Sequence, residues 1–126
     1  MIMEIGLYLA AFLILLVGMA HSILGERYIL TRLFRRENLP KVLGSSEFTA
    51  RTLRFAWHVT TVAWLGLASV LIALAHPPVT VKGLGLIVGG TFLIHFAISV
   101  VGSRGKHLSW PLFLAIGVLA IYATHA

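Results

Sequence analysis

Four long runs, Ile5 to Leu24, Phe55 to Ala75, Gly83 to Gly102 and Leu108 to Thr124, contain no Asp, Glu, Lys or Arg and take up most of a 126-residue chain. Each is close to the roughly 20 residues that a helix needs to cross a hydrocarbon core of about 30 Å, the last being the shortest. A chain of this size cannot bury four such runs against one another in water. Hydrophobic residues reach 59% and charged ones only 11%, against about 25% charged in soluble domains. The expected fold is an all-α integral membrane protein, a four-transmembrane-helix bundle in which residues 1–126 form one domain. No internal repeat is visible.

The basic residues give the orientation. Arg27, Arg32, Arg35, Arg36, Lys41, Arg51 and Arg54 separate the first two runs, Arg104 and Lys106 separate the last two, and Lys82 alone lies on the other side. The excess of Lys and Arg on cytoplasmic loops predicts that both of these loops are cytoplasmic and both termini outside, as for a bacterial inner-membrane protein. The net charge of +6 is therefore one-sided. It suits anionic lipid headgroups rather than nucleic acid, since no base-stacking aromatic pattern accompanies it. The N-terminus carries no basic stretch before its apolar run, so that run is read as a retained helix. With no cysteine, disulfides, thiolate metal sites and covalent haem attachment are excluded.

Small residues recur at helical spacing. Ala11, Gly18, Ser22 and Gly25 line one face of the first helix, Gly85 and Gly89 the third, and Ser109, Gly117, Ala120 and Thr124 the fourth. Such faces let backbones approach closely, within the bundle or against partner membrane helices or a second copy. Thr91, His95 and Ser99 share a face at i, i+4, i+8 and should look inward. The segment Arg27 to Arg36 alternates basic and apolar residues at helical spacing, an amphipathic cytoplasmic stretch that either continues helix one or lies in the headgroup layer after a bend at Gly25. Asn38-Leu39-Pro40 ends it, Ser45 or Ser46 caps helix two with Glu47 in its first turn, and Pro77-Pro78 stops that helix. Trp57 and Trp64 read as interface and packing residues, and Trp110 as an interface anchor.

Chemistry points to the histidines. His21, His58, His95 and His107 all fall toward the cytoplasmic ends of their segments, His21 and His58 at the same depth of roughly 5 Å. Imidazole is the usual axial ligand of b-type haem and a common ligand of iron, copper or zinc. The leading expectation is a protein that binds b-type haem for electron transfer, with His21 and His58 as axial ligands, His95 as the substitute for either, and Arg54 and Arg104 in a cationic mouth suited to propionates or a phosphate headgroup. The alternative is a non-haem metal-dependent membrane enzyme or metal transporter using His21, His58, His95, His107 and Glu26. The second alternative is a non-catalytic membrane subunit or scaffold. His76 and His125, at the opposite end, are read as interfacial.

Overall fold

A computed structural model describes residues 1–126 and is all-helical, without strands. Helix α1 (Ile2–Leu33, 32 residues) is followed by α2 (Ser46–Ala75, 30 residues), α3 (Val81–Ser103, 23 residues) and α4 (Ser109–His125, 17 residues). By length and composition α1, α2 and α3 are long and apolar enough to cross a membrane, and α4 is a shorter apolar helix.

The ends of the helices follow from local chemistry. Ser45, in extended backbone, accepts a hydrogen bond from the Phe48 amide at 3.3 Å, which caps α2 at the expected place. Thr80 does the same for α3 through the Gly83 amide at 2.9 Å, so α3 starts two residues before its apolar run. It ends where Arg104 and Gly105 both turn left-handed, with φ of 53° and 74°. Between the two readings of the Arg27 to Arg36 segment, the structure has the continuation: α1 runs on without a bend at Gly25, through a π-helical stretch at Gly25–Leu30, to Leu33. At 1.5 Å per residue α1 is about 48 Å long, so its basic end projects well beyond any 30 Å apolar layer.

The helices pack antiparallel as a row in chain order. α1 lies on α2, α2 on α3 and α3 on α4, while α1 packs on neither α3 nor α4. Each seam is built on a glycine that admits a large partner. Gly25 lies directly under the Trp57 indole. A Cβ on Gly102 would come 2.6 Å from that of Phe55, and one on Gly66 2.6 Å from the Thr91 hydroxyl. Gly85 faces Thr124, and a Cβ on Gly89 would come 2.8 Å from the Gly117 carbonyl. The polar stripe does face inward: His95 and Ser99 are buried and Thr91 is half-buried.

Gly25→Val is expected to push the Trp57 ring out of its seat between α1 and α2. Overpacking of this kind costs about 1–3 kcal/mol. Thermal unfolding in detergent, followed by tryptophan fluorescence, checks this; an unchanged midpoint would show that the indole is free to move.

Only 14 of 126 residues are buried, because a single row of helices leaves two broad faces uncovered. On α1 alone Ile5, Leu9, Phe12, Leu16 and Ile23 are exposed. So much apolar surface requires an apolar surrounding or partner helices.

Candidate functional site

The richest polar cluster lies where α1 and α2 meet, at the basic end of the row. Arg54 and His58 are four residues apart on α2, as are Ser22 and Glu26 on α1, so each pair presents two groups on one face. The two faces meet. Glu26 accepts from Arg54 Nε at 3.3 Å, pairs with Nη2 of the same guanidinium at 2.9 Å, and contacts His58 Nε2 at 3.1 Å. His58 Nδ1 lies 2.9 Å from the Ser22 hydroxyl, which in turn lies 2.6 Å from the Thr61 hydroxyl.

Burial works against the charge of Glu26, yet the hydrogen bonds from His58 and Arg54, with the positive charge of Arg54, hold its carboxyl below the usual value. As a carboxylate it can only accept. His58 Nε2 therefore donates to Glu26, while Nδ1 is bonded to the Ser22 hydroxyl and Ser22 to the Thr61 hydroxyl. Both nitrogens of His58 are thus engaged by the protein.

Arg54 also stacks over the Phe34 ring, 4.9 Å from its centroid. Beside it Glu47 bonds Arg51 at 3.0 Å and lies 3.7 Å from Arg104. The hydrogen bond from Arg51, followed by the charges of Arg51 and Arg104, holds the Glu47 carboxyl below its usual value. Arg51 reaches across to the Gly102 carbonyl at 3.4 Å.

These groups border a cavity of about 690 Å³ between α2 and α3. Arg51, Arg54, His58 and Glu47 stand at its polar edge, and Phe55, Ala97, Ile98 and Val101 form its apolar wall. The volume falls within the roughly 300–1,000 Å³ of small-molecule sites. Two arginines against the single carboxylate of Glu47 leave the edge net positive over an apolar wall, which is complementary to a molecule with an anionic group on an apolar body.

The other histidines have separate surroundings. His21 stacks parallel on Trp57 at 4.5 Å, and the Trp57 indole donates to the His21 carbonyl at 2.8 Å while His21 Nε2 lies 3.3 Å from the Trp57 carbonyl. His107 lies against Phe48 and Phe55 and bonds Ser109 at 2.8 Å, holding the α3–α4 turn onto α2. His95, only 4% exposed, sits edge-on between Phe92 and Phe113. At the far end His76 accepts or donates at 2.7 Å to Tyr8, joining α1 to α2, and His125 bonds its own helix at Ile121.

Of the expected ligand set His21, His58, His95, His107 and Glu26, the structure brings His58 and Glu26 together. No group of three or more His or Glu side chains is placed to hold a metal ion. The reason is topological: a row in which α1 meets only α2 cannot gather side chains from four helices into one layer. His21 and His58 also turn to different partners, Trp57 for one and Ser22 with Glu26 for the other.

Ser22, Thr61 and Trp57 are the members that sequence reasoning missed. The i, i+4 spacing of Ser22 and Glu26 was the available signal; Ser22 reads equally well as a small packing residue. Compared with known proteins, the chain matches no family model, no curated protein and no solved structure.

Proposed function

We propose that this chain is a small integral membrane protein of the bacterial inner membrane, with both termini outside, that binds an anionic ligand with an apolar body at the cytoplasmic mouth between α2 and α3. The observation that carries the proposal is the cavity itself, with two arginines, a histidine and one carboxylate, Glu47, along one edge of an otherwise apolar wall. The membrane placement is supported by three long apolar helices, exposed apolar faces and basic residues concentrated at one end.

Among cofactors of that description b-type haem stands first. Its propionates suit Arg51 and Arg54, and His58 supplies an imidazole on the same cavity, exchanging Ser22 or Glu26 for iron. From its place on Trp57 His21 offers no second ligand, and His58 is the one histidine that borders this cavity. A phosphate-bearing lipid or an anionic substrate shares the same chemistry.

The test is an absorption spectrum of the purified protein, with haemin titration. A Soret band that reduces and reoxidises, lost in His58→Ala and kept in His76→Ala and His125→Ala, is the expected result for haem. A colourless protein that binds phosphatidylglycerol saturably keeps the site and changes the ligand. Stoichiometric iron, copper or zinc without haem points to the metal enzyme or transporter, and a protein that binds none of these is a scaffold.

Orientation is tested separately. Reporter fusions after Ala126 and within Pro77 to Lys82 are both expected to report the outside. A cytoplasmic Ala126 would reverse the side on which the cavity opens.

A further inference from the structure

His95 has no partner. It is 4% exposed, and neither ring nitrogen makes a hydrogen bond. The main chain of Val59 approaches the ring from α2, outside hydrogen-bonding geometry. A buried polar group left in this state is costly and calls for an explanation. Other inward polar groups on α3 do find partners, Ser99 with Ser109 at 2.7 Å and Thr91 with the Ile87 carbonyl at 2.6 Å.

The ring borders a second groove between α2 and α3, of about 260 Å³, distinct from the cavity at Arg54. Ala63, Gly66, Val70 and Phe92 form its walls. At its rim Leu67 is 59% and Val88 43% exposed, so the groove opens sideways on the apolar exterior of the row. No Lys, Arg or Glu lines it. His95 lies eight residues, about 12 Å, from the basic end of α3, near the middle of that helix.

The properties of an occupant follow. It must be uncharged, since nothing in the groove would offset a buried charge. It must reach the groove through the apolar exterior, so it is lipid-soluble. It must offer one hydrogen-bonding atom to an imidazole, and the volume admits a single ring with any tail left outside. A neutral imidazole has one N–H and one bare nitrogen. A ring carbonyl accepts from the first and a ring hydroxyl donates to the second.

We propose that the groove between α2 and α3 is a binding site, entered from the bilayer, for a lipid-soluble benzoquinone or its quinol, with the imidazole of His95 turning to bring one nitrogen to the groove, where it is hydrogen-bonded to the ring oxygen. The site shares with the anionic-ligand reading only its membrane placement.

The test uses the full chain in phosphatidylcholine vesicles, first floated to establish insertion, then photolysed with an azido-substituted decylbenzoquinone. Mass spectrometry is expected to find label in Ala63 to Val70 and Ile87 to Phe92, displaced by unlabelled decylbenzoquinone. His95→Leu and Ala63→Leu, the second of which keeps the imidazole and fills the groove, should each lower the displaceable label at least tenfold with helix content unchanged by circular dichroism. Arg54→Gln should leave it unchanged, which separates this site from the cationic cavity. Label spread along all apolar faces without displacement, or retained within twofold in Ala63→Leu, overturns the proposal, as does a chain that does not float with lipid.

Discussion

Gly89→Leu is expected to break the packing of α4 on α3, while the same substitution one residue on, Gly90→Leu, is expected to be harmless. A side chain at Gly89 meets Ile121 and, 2.8 Å from its Cβ, the Gly117 carbonyl. Ile121 can change rotamer, but a main-chain carbonyl held in a helix cannot turn aside. The backbones must separate, and the reciprocal contact of Gly117 on α3 is lost with them. At Gly90 nothing lies within 4 Å of the added Cβ, and leucine is a better helix former than glycine by somewhat under 1 kcal/mol. The cost at Gly89 is put at about 3 kcal/mol, the upper part of the range for overpacking, because the obstruction is backbone. Unfolding of the two variants by sodium dodecyl sulfate titration, followed by circular dichroism, decides it. Equal midpoints for the two would show that α4 is not seated on α3 through this glycine face.

The features legible in the sequence were those with short range. Charge-free runs locate the helices because their extent depends only on local polarity. Ser45 caps α2 and Pro77 follows its end because capping and helix breaking involve neighbours within four residues. The inward set of Thr91, His95 and Ser99 follows from the 3.6-residue period. Partner choice between helices is of another kind. The expectation that His21, His58, His95 and His107 meet in one layer assumed a closed bundle, and depth along a helix says nothing about which helix stands beside it. In the row that forms, α1 has one neighbour, and His21 spends its face on Trp57. The placement of Glu26 was partly legible through its spacing from Ser22. Nothing local announced the π-helical stretch at Gly25–Leu30, which changes the register of every residue after it and is a feature often found beside functional sites.

Arg54→Gln is expected to weaken binding of an anionic ligand at the cationic cavity by roughly tenfold to a hundredfold, the worth of one charge-assisted hydrogen bond of about 1.5–3 kcal/mol. Arg54 is singled out because it is held from two sides, by Glu26 at 2.9 Å from its guanidinium and by Phe34 beneath it, while the cavity opens beside it. An exposed arginine without such support would owe the ligand most of its gain in lost side-chain freedom. Arg27→Gln is the matched control. It removes the same charge from the same end of the row, but Arg27 lies over its neighbour Tyr28 and does not border the cavity. At about 0.15 M salt its effect at a distance is largely screened, so its affinity should stay within about twofold of the parent. Titrations with haemin and with phosphatidylglycerol, at two salt concentrations, provide the measurement. Should the two arginine variants lose affinity equally, and the loss vanish in high salt, the cavity would be reduced to one part of a diffuse basic surface. If Arg54→Gln alone weakens binding and His58→Ala weakens it further, the Glu26 carboxylate acquires its role: it fixes the two groups that meet the ligand.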